Sequence, residues 1–157
     1  MERNGGRKIL ERTPLFVVDA SVAVKWFAKE PLRRKAVQVR ADYAKGRIEL
    51  TAPPLLPYEL GNALRYHPEA TPQLVTEALK TVDSMQMVES NLSSSEAETA
   101  SRIAFEEGTT FYDAAYLALA ERRECYLLTD DRRLSKKIGE RRKLILLLED
   151  YRGSHRQ

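Results

Sequence analysis

The sequence is poor in anything that could staple or anchor it from outside its own core. A single cysteine, Cys125, rules out a disulfide within the 157 residues, and its apolar surroundings read as those of a small buried thiol. The two histidines, His67 before a proline and His155 near the C-terminus, give no Cys/His cluster of the zinc type. A metal, if bound, must be held by oxygen atoms, which suits Mg2+ or Mn2+. No apolar run approaches the roughly 20 residues of a membrane span, and the opening MERNGGRKILERTP lacks the apolar centre of a signal peptide. The expectation is a cytoplasmic protein with no membrane partner. Repeats, low-complexity tracts and interdomain linkers are also missing.

What is present is the composition of a folded globular domain: 43% hydrophobic and 31% charged residues, with a mean hydropathy of −0.47. The length fits one domain able to bury a core unaided. The expected layout is an N-terminal arm over residues 1–13, a domain over 14–149 and a polar tail over 150–157. Continuous apolar runs read as buried strands at Leu15–Val18, Ile48–Ala52, Met85–Glu89, Cys125–Leu128 and Leu144–Leu148. Helical segments fall between them. One follows Asp19, with Ser21 as N-cap for Val22–Ala28, and another covers Leu32–Lys45. A third starts at Pro57 and a fourth follows the Thr71-Pro72 cap, ending near Ser84. A fifth opens on a Ser95/Glu98 capping box and stops at Gly108; a sixth, almost wholly apolar, contains Asp113 in its first turn. Strands alternating with helices, and strands apolar throughout, predict an α/β fold: a three-layer α/β/α arrangement around a mainly parallel sheet of four to five strands.

Acidic residues sit where such a fold would gather them. Asp19 closes the first strand and Asp130-Asp131 close the fourth, while Glu59 and Asp113 lie in the first turns of helices. Strand carboxyl ends and many helix N-termini share one edge of a wound sheet, so convergence is topologically easy. Each helix-start acid alone is explained by the favourable helix dipole. As a set, four carboxylates brought together repel one another and stay ionised only around a cation. A divalent ion held this way activates water and offsets charge on a phosphoryl oxygen, which points to a phosphodiester substrate. The net charge of +3 is concentrated between Arg132 and Lys143, where seven basic residues face one acid. Arg132, Arg133, Lys136 and Lys137, immediately after the acidic turn, are candidate contacts for a polyanion backbone; a solvated face is the alternative.

These residues carry a family resemblance. Phe16-Val-Val-Asp19-Ala-Ser21, Pro57-Tyr-Glu59-Leu-Gly-Asn62, Tyr112-Asp113-Ala-Ala-Tyr-Leu-Ala-Leu-Ala120 and Leu128-Thr129-Asp130-Asp131-Arg-Arg-Leu134 resemble, in order, the four motifs of PIN-domain nucleases. Compact members of this kind are similar to the VapC toxins of type II toxin–antitoxin pairs. The resemblance implies a Mg2+- or Mn2+-dependent endoribonuclease acting on RNA, a homodimer, restrained by a VapB-type antitoxin. It implies Asp19, Glu59, Asp113 and Asp131 as catalytic and metal-binding acids. Asp131 matches through its Thr-x-Asp spacing from Thr129, which leaves Asp130 in a supporting place beside Ser21, Asn62 and Thr129.

Other readings stand beside this one. A PIN nuclease of RNA maturation shares every motif, and the compact chain without an appended module favours the toxin. A non-catalytic RNA-binding PIN module would have lost one of the acids, and none is lost. A signalling receiver domain would need paired acids after its first strand and an acceptor aspartate after a middle one, and both are missing. Trp26, Phe27, Tyr112 and Tyr116 read as packing residues, whereas Lys25, Lys29 and Arg33 read as solvated charges.

Overall fold

The computed structural model describes residues 12–139 and 141–153. Most of the expected N-terminal arm and the end of the tail, with His155, lie outside them. Four strands, β1 (Leu15–Val18), β2 (Glu49–Thr51), β3 (Tyr126–Thr129) and β4 (Ile145–Leu147), form one parallel sheet in the order β2-β1-β3-β4. The helices are α1 (Ala20–Ala23), α2 (Arg33–Ala44), α3 (Leu56–Arg65), α4 (Pro72–Met85), α5 (Ser94–Glu107), α6 (Phe111–Arg122) and α7 (Arg132–Ile138).

Strand periodicity sets the layers. Phe16 and Val18 of β1 and Leu128 of β3 join one core with Val22 of α1, Val39 of α2, Leu60 of α3 and Val82 of α4. Their neighbours Val17 and Leu127 point through the other face to Ile103 of α5, Leu117 of α6 and Leu134 of α7. The sheet is therefore covered on both sides, as the apolar strands require. Helix α6 buries every residue from Ala114 to Ala120. Its alanines allow close approach to the sheet, and all-round burial explains why its sequence shows no amphipathic stripe. No helix among the described residues is long and apolar enough to cross a membrane.

Several local expectations need correction. Met85–Glu89 is not a full strand. Met85 completes α4, Gln86 caps it at φ 52°, and only Val88 bridges to Ala52, so the sheet keeps four strands. The α5 cap is Ser93, whose hydroxyl accepts the Glu96 N–H, two residues before the expected Ser95/Glu98 box. Ser21 does not cap α1; Asp19 occupies that position and Ser21 lies inside the helix. Tyr151, in the segment read as a polar tail, is buried and donates to Asp42 Oδ2 at 2.7 Å.

Gly108 does end α5, at φ +62°, with nothing within 4 Å of where a Cβ would sit. Gly108→Ala should then cost only the left-handed backbone penalty, about 1 kcal/mol, or roughly 2–4 °C in Tm for a domain of this size. A thermal melt with no measurable change would show that the helix end relaxes to another cap.

Candidate metal centre at the carboxyl edge of the sheet

The chain leaves β1 toward β2 on one side and reaches β3 and β4 on the other, so the β1/β3 junction is the switch point of the sheet, where open α/β folds place ligands. Asp19 stands at the carboxyl end of β1, its N–H donating to Leu128 O of β3 at 3.0 Å. Asp130 and Asp131 follow β3. Glu59 comes from the first turn of α3 and Asp113 from the first turn of α6.

Two hydroxyls tie the strand ends together. Ser21 Oγ donates to Asp19 Oδ2 at 2.8 Å, and Thr129 Oγ1 donates to the same oxygen at 2.6 Å. Each hydroxyl then accepts from the turn after β3: Ser21 Oγ from the Asp130 N–H and Thr129 Oγ1 from the Asp131 N–H, both at 3.0 Å. A hydroxyl has one proton, so each points it at Asp19 and turns its lone pairs to an amide. Asp131 also caps α7, its Oδ1 accepting the Leu134 N–H at 3.0 Å. On α6, the cap is Thr110, whose Oγ1 accepts the Asp113 N–H, and Thr109 Oγ1 donates to Asp113 Oδ2 at 3.4 Å.

The carboxylates act on one another. Burial pushes the Asp19 carboxyl above its ordinary range against the lowering pull of Thr129 and Ser21, and the Asp113 charge adds to the rise. Glu59 is raised by burial and by the charges of Asp19 and Asp113. Asp113 is raised by burial and by Asp131, with Lys137 pulling it back down. The structure thus brings all four acids into one electrostatic neighbourhood.

Tyr116, across from Glu59, is buried, and its hydroxyl is held protonated by burial and by the charges of Asp19 and Glu59. Neither Glu59 Oε1 nor the Tyr116 hydroxyl completes a hydrogen bond of normal geometry. Glu59, with the Tyr116 hydroxyl beside it and among carboxylates that raise one another's pKa, belongs to a donor set suited to a hard divalent cation. Among the described residues no three acidic, histidine or cysteine side chains stand as a ready-made metal cage.

The remaining candidates divide. Asn62 is exposed on α3. Asp130 is not turned toward the acids but pairs with Lys25 Nζ at 3.0 Å. Lys25 is accordingly not a solvated charge: it is 3% exposed, whereas Lys29 and Arg33 are exposed as expected. Trp26 is core, donating to Ala36 O at 2.9 Å, while Tyr112 departs from the packing expectation at 63% exposure. In the basic run, Arg132 pairs with Glu149 at 2.8 Å, and Arg141 and Arg142 are spent on Glu106 and Glu107 at the end of α5. Arg133, Lys136 and Lys137 are exposed, and Lys137 is near enough to act on Asp113.

Comparison with known proteins agrees with this fold. The PIN-domain family model matches residues 16–139. A crystal structure of PAE2754 from Pyrobaculum aerophilum is similar, with 28% identity and a TM-score of 0.62, covering 87% of this chain and 91% of that one. A toxin–antitoxin complex from Klebsiella pneumoniae is similar at 15% identity and TM-score 0.62, covering 85% and 97%. VapBC2 from Rickettsia felis, bound to a DNA fragment from its promoter, follows at 11% identity and TM-score 0.61, covering 85% and 98%. No curated protein sequence matches. With the family model matching residues 16–139, most of the chain, the chain belongs to the PIN-domain family.

Proposed function

We propose that this chain is a Mg2+- or Mn2+-dependent endoribonuclease, the toxin of a VapBC-type pair, working in the cytoplasm as a homodimer under a VapB-type antitoxin. One observation carries the reading: four carboxylates from four separate elements, Asp19, Glu59, Asp113 and Asp131, act on one another at the switch point of the sheet. Membership of a nuclease family supports the chemistry, and the toxin–antitoxin complexes among its structural neighbours support the biological setting.

Asp19, Asp113 and Asp131 would hold the ion, with Glu59 completing the shell or serving a second ion. A divalent ion so held supplies positive charge to the phosphate and acidifies a water. The chain's own residues do the positioning. Thr129, wholly buried, donates to Asp19 and accepts from the Asp131 N–H, so one hydroxyl sets the spacing between the two strand-end acids. Ser21 does the same between Asp19 and the amide of Asp130. Asn62, exposed on the helix that carries Glu59, would help orient a carboxylate or a water. Arg133, Lys136 and Lys137, with Arg132 once released from Glu149, would take the flanking phosphates of a single-stranded RNA.

The purified chain should cut single-stranded RNA internally when Mg2+ or Mn2+ is present and stop when a chelator is added. Chelator-resistant cleavage, or none with either ion, would refute the metal-nuclease reading. Expression without a partner should arrest growth. Harmless high-level expression of an active enzyme would refute the toxin assignment and favour RNA maturation.

A further inference from the structure

Lys25 lies in the single 3-10 turn Val24–Trp26 that follows α1, and it is 3% exposed. A buried ammonium needs a counter-charge, since an unpaired one costs several kcal/mol. Glu30 supplies one locally, with Oε2 3.1 Å from Nζ. The second partner comes from the end of the neighbouring strand: Asp130 Oδ2, 3.0 Å away, on the residue next to Asp131. Asp130 is further fixed through its N–H to Ser21 Oγ at 3.0 Å. Asp131, in contrast, is held by its N–H on Thr129 and by capping α7. Two consecutive carboxylates thus leave the same turn with separate anchors. One is bound to a buried cation and the other is delivered to the acids.

We propose that Lys25 is a positioning residue of the metal centre: its ion pair with Asp130 withholds that carboxylate from the cluster, so that Asp131 serves and the centre carries four acids instead of five. The inference rests on the metal-nuclease reading above. With the ammonium gone, Asp130 becomes a free carboxylate one residue from a ligand. The net charge beside the centre then falls by one unit, which tightens cation binding, while a fifth carboxylate competing for the ion slows turnover.

The test is Mn2+ binding to the metal-free protein, read from the electron paramagnetic resonance signal of free Mn2+, with RNA cleavage measured in parallel. Lys25→Met should bind Mn2+ about tenfold more tightly, the size expected of a unit charge acting on a neighbouring ion through the protein, and cleave more slowly. The double variant Lys25→Met/Asp130→Asn should bring both quantities back toward native. Asp130→Asn alone should weaken Mn2+ binding by no more than about tenfold, the same unit charge acting with the opposite sign. Weaker Mn2+ binding in Lys25→Met, unrelieved by Asp130→Asn, would reduce Lys25 to a structural ion pair and overturn the proposal. A large loss of Mn2+ affinity in Asp130→Asn would overturn it too, by making Asp130 itself a ligand. That variant keeps the test decisive if Lys25→Met does not fold. A native protein that neither binds Mn2+ nor cuts RNA would instead refute the underlying reading.

Discussion

Asp19→Asn is expected to lower divalent-ion-dependent RNA cleavage by at least about 100-fold, while leaving the metal-free protein as stable as the native one or more so. The size follows from rank: changing a group that merely orients a metal ligand costs about 10–100-fold, so removing the charge of a ligand should cost more. The stability follows from the site itself. Asp19 is raised by burial and by Asp113, which means that its charge is a burden when no cation is present. Asparagine removes that charge and keeps an oxygen to accept from Ser21 Oγ and Thr129 Oγ1. Asp19→Ala is the informative contrast. It would strand the Thr129 hydroxyl, which has no exposure, at a cost of about 1–3 kcal/mol. Single-turnover cleavage with saturating Mg2+ and a thermal melt in chelator measure the two halves. Native-like cleavage by Asp19→Asn would remove Asp19 from the chemistry. A cooperative unfolding midpoint well below native would mean that the lost activity reports on folding instead.

Elements fixed by local chemistry were legible in the sequence, and pairings across the fold were not. Leu15–Val18 announces a buried strand because nothing in it is polar, and Asp19 is placed by the strand's end. Thr71-Pro72 and Gly108 mark helix ends through backbone preferences that act within a turn, and the structure keeps both. Met85–Glu89 misled because its apolar residues serve two elements: Met85 packs as the last residue of α4, and Val88 meets only one partner at the sheet edge. The cap of α5 was misjudged by two residues since Ser93, Ser94 and Ser95 offer equivalent hydroxyls, and tertiary packing chooses among them. Lys25 could not have been read as buried, because one of its two partners, Asp130, lies far along the chain, just after β3. Tyr116 carried no polar signal within an apolar helix, although its hydroxyl faces Glu59. Thr110 did carry one. A threonine three residues before Asp113 is the pattern of an N-cap, and it holds the amide of that acid.

Divalent ions are expected to stabilise the protein far more at pH 7.5 than at pH 5, by a margin visible in a thermal melt. Asp19, Glu59 and Asp113 all have carboxyls pushed above their ordinary values of 3.8, 4.5 and 3.8, in each case first by burial and then by neighbouring acids. A group whose pKa is higher folded than unfolded binds its proton more tightly in the folded state. Its contribution to stability is fully present below the unfolded value, near pH 4, and is lost as pH rises through the folded one. Without metal, these three groups therefore make the native state weaker as the solution moves from acid to neutral. A cation reverses the sign, since it binds the ionised carboxylates of the folded protein and must displace their protons at low pH. At an ion concentration about 100 times the dissociation constant, binding adds about 2.7 kcal/mol, or roughly 5–10 °C in Tm for a domain of this size. At pH 5 proton competition should remove much of that increment. Asp113→Asn takes away one titrating group and one ligand together, so it should shrink the metal increment at pH 7.5 and flatten the metal-free decline. An increment equal at both pH values, or unchanged in Asp113→Asn, would place the ion somewhere other than among these acids.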